Sequence, residues 1–361
     1  MKNVRIFITA ITACLAIFSC NKNQSGDNLP PSENANPYPL SWTVAGHLRV
    51  VYSVVNEESS ALTIKCWSNT TPLPLVDGAD HAGSIVYSNG NVYICGYKNN
   101  GVGDIIRYWK NGNPIALTNG MKYGEATDMA VSGNDIYVAG YEAQVYMYVA
   151  KYWKNGVAVS LTDGTKDAGA KTIAVAGPDV HVAGYEMTTD GAIVGVSKAM
   201  YWKNGVAQAL TDGSNYAEAR SMVIAGTDVY IAGYEYKAGT VKGVAKYWKN
   251  GAAISLTNGN FDARANSIAV IGSDVYVAGY ERSASNKLVA KYWKNGVAIP
   301  LTSGAASAEA KAIVVRGADV FVGGYENNVN GRSVAKLWKN GNATSLSDGT
   351  KDAKCQDIWL Q

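Results

Sequence analysis

The chain has 361 residues, with 32 Lys and Arg against 29 Asp and Glu, a formal charge of +3, and 23 tyrosines to 4 phenylalanines. So balanced a charge leaves no electrostatic footprint for nucleic acid, and none is expected as a partner. The 5 cysteines are widely spaced and do not form a disulfide framework.

Residues 1–5 are made positive by Lys2 and Arg5, residues 6–18 are nearly all apolar, and Ser19-Cys20 opens a polar run. That is the layout of a secretory signal, too short and wrongly flanked for a spanning helix. A Cys directly after a small residue at the end of the apolar run resembles the lipobox of bacterial lipoproteins. The resemblance implies cleavage before Cys20 and lipidation of Cys20. It also implies a place in the bacterial cell envelope, anchored to a membrane and facing the periplasm or the exterior. The other reading is an ordinary signal peptide in which Cys20 is incidental. Residues 20–40 hold Pro30, Pro31, Pro37 and Pro39 among Asn, Ser, Gly and Asp, with almost nothing to bury. They read as a flexible tether. The expected boundaries are therefore 1–19 for the signal, 20–40 for the tether and 41–361 for one domain. Cys66, Cys95 and Cys355 each stand where sister repeats carry another residue, and read as packing substitutions.

Internal repetition dominates residues 41–361. Trp-Lys-Asn-Gly begins at Trp109, Trp153, Trp202, Trp248, Trp293 and Trp338, with a degenerate copy at Trp67. A second token, Leu-(Thr/Ser)-(Asp/Asn/Ser)-Gly, begins at Leu117, Leu161, Leu210, Leu256, Leu301 and Leu346, with a weaker copy at Leu75. A third, Gly-Tyr-(Glu/Lys), begins at Gly96, Gly140, Gly184, Gly233, Gly279 and Gly324.

Each unit reads as four short strands. In the copy that starts at Lys171, strands are expected over 172–176, 180–185, 197–203 and 206–210. Gly177-Pro178-Asp179 and Asn204-Gly205 supply tight turns, and the loop after Tyr185-Glu186 takes up the variation in length. Four antiparallel strands cannot bury both faces alone, so the copies are expected to pack radially. The fold class expected is all-β, a β-propeller of seven four-stranded blades. Ala353 to Ile358 matches Ala308 to Ile313, so a last first-strand should join the first repeat and close the ring.

The run Val-Ala-Lys-Tyr-Trp-Lys-Asn-Gly, then Leu-Thr-Asp-Gly, a pair of alanines, Ile, and Val-Ala-Gly-Tyr resembles the bacterial extracellular HAF-type repeat. That repeat reads His-Ala-Phe-Leu-Trp, Asn-Gly, Leu-Gly, Ala, Ile-Asn, Gly and Val-Val-Gly in the same order, and this chain has Val-Ala-Lys in place of His-Ala-Phe. The resemblance covers nearly all of 41–361. It implies an extracellular repeat fold and says little about activity.

Catalytic constellations are sparse. His47, His81 and His181 lie in three different repeats, so a zinc centre is not expected. No serine elbow and no phosphate-cradling loop occurs. The Asp163/Asp167 and Asp348/Asp352 pairs fall short of the roughly six to eight oxygens that calcium takes. No catalytic residue, metal or cofactor is therefore assigned. Trp, once per unit, is expected to fill the space between blades.

Strand direction places the Gly-Tyr-(Glu/Lys) token on one face of the ring, with the Trp-Lys-Asn-Gly turns on the other. The candidate ligand-binding residues are thus Tyr97, Tyr141, Glu142, Tyr185, Glu186, Tyr234, Glu235, Tyr280, Glu281, Tyr325 and Glu326, with Lys98 in the sixth position of the carboxylates. The competing reading has those carboxylates solvated or paired with lysines, and the tyrosines packed. The functional expectation is a monomeric, non-enzymatic binding or scaffold lipoprotein for a glycan or protein. The alternative is a carbohydrate-active hydrolase or lyase, which would need an asymmetric pair of carboxylates. The 186–196 insertion is where such asymmetry is expected.

Overall fold

A computed structural model describes residues 50–57, 62–68, 71–74, 80–145, 147–188 and 196–360. The signal, the tether and Cys20 lie outside the described residues.

Six blades are each built from four consecutive antiparallel strands. They span 81–116 (blade I), 124–160 (II), 168–209 (III), 217–255 (IV), 263–300 (V) and 308–345 (VI). The molecule is an all-β propeller. Seven four-stranded blades were expected, the first completed by the C-terminal strand; six blades form from consecutive strands, and the first repeat makes none from its own strands alone. Its strands Val50–Glu57, Leu62–Ser68 and Thr71–Pro74 share a four-stranded sheet with Asp352–Leu360 from the other end of the chain. In that sheet Val50–Glu57 pairs antiparallel with Asp352–Leu360.

Burial explains the repeated tryptophans. Trp109, Trp153, Trp202, Trp248, Trp293 and Trp338 are all 0–2% exposed. Trp202 of blade III packs on Tyr137, Ala139 and Ala150 of blade II, and Trp248 of blade IV on Ala183, Ala199 and Tyr201 of blade III. A large ring from one blade thus meets small residues of the one before it. Burying an indole of about 200 Å² is worth roughly 5 kcal/mol. Trp109, Trp202, Trp248 and Trp338 leave the indole N–H without a partner among the described residues, which costs about 1–3 kcal/mol. Packing outweighs that loss, so the tryptophans are wedges between blades.

The Asn-Gly turns do more than reverse the chain. Asn155, Asn204, Asn250, Asn295 and Asn340 all adopt φ near +50°, and the glycine after each lies at +81° to +85°. Each Asn side chain also reaches the neighbouring hairpin. Asn204 Oδ1 accepts from Val180 N at 2.9 Å, and its Nδ2 donates to Asp179 at 2.8 Å. Lys203 pairs with the same Asp179 at 2.7 Å. The four-residue token is a clamp that ties the third strand to the first hairpin.

The Gly-Tyr glycine has a different cause. A Cβ added at Gly96, Gly140, Gly184, Gly233, Gly279 or Gly324 would lie 1.9–2.1 Å from a carbonyl oxygen of the inner strand. Only glycine fits under that carbonyl. Directly after this contact the inner strand carries a β-bulge. Register passes from Ala170↔Gly184 to Thr172↔Ala183, so Lys171 is skipped. Thr127, Arg220, Asn266 and Lys311 are skipped in the same way in blades II, IV, V and VI. Blade I skips Gly83 and Ser84, and Asp352–Leu360 skips Gln356. A bulge turns the extra side chain away from the regular alternation.

The inner strands begin earlier than the sequence suggests. In blade III the strand is Ala168–Ala176 rather than 172–176, because the bulge breaks the period-two pattern at Lys171. The third strand, Ser197–Lys203, has the expected bounds.

The residue after the bulge links neighbouring blades. Asp128 Oδ2 accepts from Ile173 N at 2.9 Å, Ser221 Oγ from Ile268 N at 3.3 Å, and Ser267 Oγ from Ile313 N at 3.1 Å. Asp357 Oδ2 does the same for blade I, accepting from Ile85 N at 3.0 Å and Ser84 Oγ at 2.9 Å. Burial, reinforced by the nearby charge of Asp128, raises the Asp357 carboxyl to about 6 despite those hydrogen bonds. A carboxyl raised from its unfolded value of 3.8 stabilises the fold in its protonated form. That contribution is present below pH 3.8 and is lost as pH climbs through about 6, an effect of roughly 3 kcal/mol. Asp357→Asn removes the charge while keeping an acceptor for Ile85. The variant should melt higher than the parent at pH 8 and show little difference at pH 4, as followed by calorimetry across that range. Parallel curves for the two proteins would contradict this account of the joint.

Candidate functional site

The inner strands surround a central channel with a cavity of about 250 Å³. Bulge residues line it: Gly83, Thr127, Lys171, Arg220, Asn266, Lys311 and Gln356. A second set of side chains precedes the bulge by two residues and stands nearer the loop face: His81, Glu125, Glu218, Arg264, Glu309 and Lys354, with Gly169 in blade III. These two positions differ from blade to blade, while the Trp-Lys-Asn-Gly and Gly-Tyr tokens recur. Asymmetry between blades is thus present at these two positions; of the 186–196 insertion, where it was expected, residues 189–195 are outside the described residues.

The tyrosines of the third token stand behind these side chains. Tyr141 donates to Glu125 Oε2 at 2.6 Å, and Tyr234 donates to Glu218 Oε2 at 3.0 Å. Tyr325 bonds Glu309, and Tyr280 donates to Asp262 Oδ2 at 3.3 Å. Cations from the inner strands lie over the same rings. Lys171 sits 5.3 Å from the Tyr141 ring centre and 5.7 Å from that of Tyr185, Arg264 lies 4.5 Å from Tyr234, and Lys354 lies 4.9 Å from Tyr325. Tyr97 stacks on His81 with ring centres 5.6 Å apart. Burial raises the phenols of all six of these tyrosines, so they stay protonated and donate. The tyrosines therefore form a supporting ring that orients the channel residues.

The carboxylates of the same token are placed differently. Glu142, Glu235 and Glu281 are half-buried and pair with Lys151, Lys246 and Lys291 of the adjacent strand at 2.6, 2.5 and 2.7 Å. These three thus follow the competing reading, paired with lysines and held within the blades. Glu186 and Glu326 lack this pair, because blade III has Met200 at the lysine position and Lys336 donates to Ser345 Oγ at 2.9 Å. None of the five is among the residues lining the channel.

Two of the histidines are now placed. His181 is buried, with Nδ1 2.6 Å from the Tyr201 hydroxyl, and serves the core. His81 faces the channel, its Nδ1 3.2 Å from Glu125 Oε1. His47 lies outside the described residues. No group of three or more metal-binding side chains occurs among the described residues.

Electrostatics set the channel apart from the near-neutral exterior. Burial opposes ionisation of Glu218, but Arg220 and Lys171 outweigh it and hold the carboxyl below its usual range. Lys311 is lowered, since loss of hydration outweighs the attraction of Glu309. A wider groove of about 720 Å³ lies beside the mouth in blade IV, lined by Tyr216, Tyr236 and Val241. The rings of Tyr216 and Tyr236 lie 5.2 Å apart there.

No family model and no curated relative matches the sequence. Solved propellers do match in shape. The β-propeller domain of the Trilobed protease from Pyrococcus furiosus, described as having an open velcro topology, superposes with a TM-score of 0.54 at 10% identity. The match covers 85% of this chain and 94% of that one. A Mycobacterium tuberculosis puromycin-hydrolyzing peptidase superposes with a TM-score of 0.55 at 8% identity, covering 83% of this chain and 52% of that one. At such identities the likeness is one of fold: the chain is similar to propellers that occur beside peptidase chemistry.

Proposed function

We propose that the protein is a non-enzymatic binding propeller that captures a glycan or protein ligand where the channel opens onto the loop face. One observation carries this reading: the side chains at the bulges and two residues before them differ from blade to blade and converge on the channel. Repeated residues serve the repeat, and a ligand needs residues that differ. The aromatic groove of Tyr216 and Tyr236 beside the mouth supports a ligand that extends across blade IV. A second reading, a carbohydrate-active hydrolase or lyase, is favoured by the His81–Glu125–Tyr141 chain, in which a carboxylate is flanked by two groups able to carry protons.

A screen of the purified full-length protein against glycans and envelope extracts, with cleavage products followed in parallel, separates the two. Replacing Tyr216 and Tyr236 by Ala should weaken capture about tenfold or more, as for aromatic anchors generally. Replacing Lys154, Lys203 and Lys249 on the turn face should leave capture unchanged. Equal losses from both faces would remove the mouth as the site. Turnover that vanishes with Glu125→Gln alone would establish the enzyme reading.

The account further proposes a lipid anchor at Cys20, a tether through residue 40 and a cell-envelope location for a monomer. The lipobox resemblance and the composition of 20–40 support it. Cys20→Ser should abolish labelling by a palmitate analogue and release the protein from membranes, while unchanged labelling would remove the anchor. The sheet formed by 50–74 with Asp352–Leu360 is proposed as a seventh blade. Its support is that Asp352–Leu360 packs against the inner strands of both blade VI and blade I. The Asp357 joint reads that closure directly.

A further inference from the structure

The layer of bulge residues differs in charge from the layer nearer the mouth. The outer layer mixes Glu125, Glu218 and Glu309 with His81, Arg264 and Lys354. The bulge layer holds Lys171, Arg220 and Lys311 and no carboxylate, its other members being neutral donors or small. The carboxylates above are committed elsewhere. Glu125 is taken by Tyr141 and His81. Glu309 accepts from Asn266 Nδ2 at 2.9 Å and also bonds Tyr325. Arg220 reaches Glu218 only at 3.4 Å, and its Nη1 donates to Asn266 Oδ1 at 3.1 Å.

The cations are therefore left with donors to spare. Arg220 Nε is buried and has no partner among the described residues. Lys171 and Lys311 make no hydrogen bond or ion pair there, and Lys171 is held only by ring faces. Three cations confined around a cavity of about 250 Å³ repel one another, and the one carboxylate among the described residues that pairs with any of them is Glu218, 3.4 Å from Arg220. A buried polar group left unmatched in a native structure points to a missing partner. Here the partner that satisfies all three is an anion with several acceptor oxygens.

We propose that the bulge layer binds an oxyanion, with Lys171 and Lys311 as point charges and Arg220 Nε as a directed donor. The group is a phosphate, a sulfate or a sugar carboxylate. The cavity admits such a group and not a whole oligomer, so a larger ligand inserts its anionic group and lies otherwise on the loop face. This rests on the reading of the channel as the ligand site and names the chemistry that the channel selects.

Calorimetric titration of the full-length protein with inorganic phosphate, sulfate, digalacturonate and the uncharged digalactose tests it. At least one anion should bind and digalactose should not compete. Tighter binding of phosphate or sulfate supports a free oxyanion, and tighter binding of digalacturonate supports a pendant carboxylate. Lys171→Met with Lys311→Met should weaken the binding anion tenfold or more while the melting temperature holds or rises. If the double variant does not fold, Lys311→Gln alone is used, with the carbon-13 signals of reductively methylated lysines reporting whether the anion still shifts them. Absence of binding by all three anions, or equal affinity in parent and lysine variants, overturns the site. Should phosphate bind through these lysines while the loop face captures no larger ligand, the binding-propeller reading falls and this site stands. Should a ligand be captured with neither lysine mattering to any anion, the reading stands and this site falls.

Discussion

Where the second strand of a blade crosses the inner strand, a glycine α-carbon lies directly beneath a backbone carbonyl. At Gly279 an added Cβ would come within 1.9 Å of Arg264 O, and the same contact recurs from Gly96 to Gly324. No side chain fits there, so the Gly-Tyr token is required for the approach and not for a turn. The approach accompanies a bulge, and the bulge residue leaves the alternation that buries its neighbours. In blade III, Ala168 and Ala170 are fully buried while Lys171 turns to the channel. The channel lining is thus a consequence of one repeated backbone contact.

The rest of the repeat holds that geometry in place. Tryptophan wedges fix the spacing of blades, and each alanine opposite leaves room for the ring. Asn-Gly clamps tie the outer half of each blade to its first hairpin on the turn face. Asp128, Ser221, Ser267 and Asp357 accept hydrogen bonds from backbone N–H groups of the next inner strand and hold neighbouring blades at their centre. Coupling through shared interfaces is what makes a propeller behave as one unit. A rigid frame of this kind suits the positioning of a few charged side chains with limited solvent. The tyrosines finish the arrangement, donating to channel carboxylates and offering ring faces to channel cations.

Much of the frame was legible in the residues. Three tokens with one period gave the propeller architecture, and Ser197–Lys203 falls where the pattern placed it. The burial of Trp202 and its sisters follows the expectation that they pack between blades. The pairing of Asp352–Leu360 with Val50–Glu57 follows from the match of Ala353 to Ile358 with Ala308 to Ile313. The site was not legible, for two physical reasons. A bulge breaks the period of two, so the alternation is visible only after Lys171 and the channel residues before it carry no strand pattern. The repeated carboxylates drew attention because they recur, yet Glu142, Glu235 and Glu281 recur to meet lysines inside the blade. The usable signal was the opposite one. His81, Glu125, Gly169, Glu218, Arg264, Glu309 and Lys354 occupy one position of the repeat with no common chemistry.

Each bulge turns its own side chain into the channel, beside the side chains two residues before it. Cysteine accessibility in the folded protein tests it most directly. Single cysteines replace Lys171 or Lys311 at the bulge, or the neighbouring Ala170 or Ala310, which are fully buried. Reaction with a small thiol reagent is measured above the background of the parent. The account predicts rapid labelling at 171 and 311 and none at 170 and 310 until the protein unfolds. Equal labelling at neighbouring positions, or protection at all four, would contradict it.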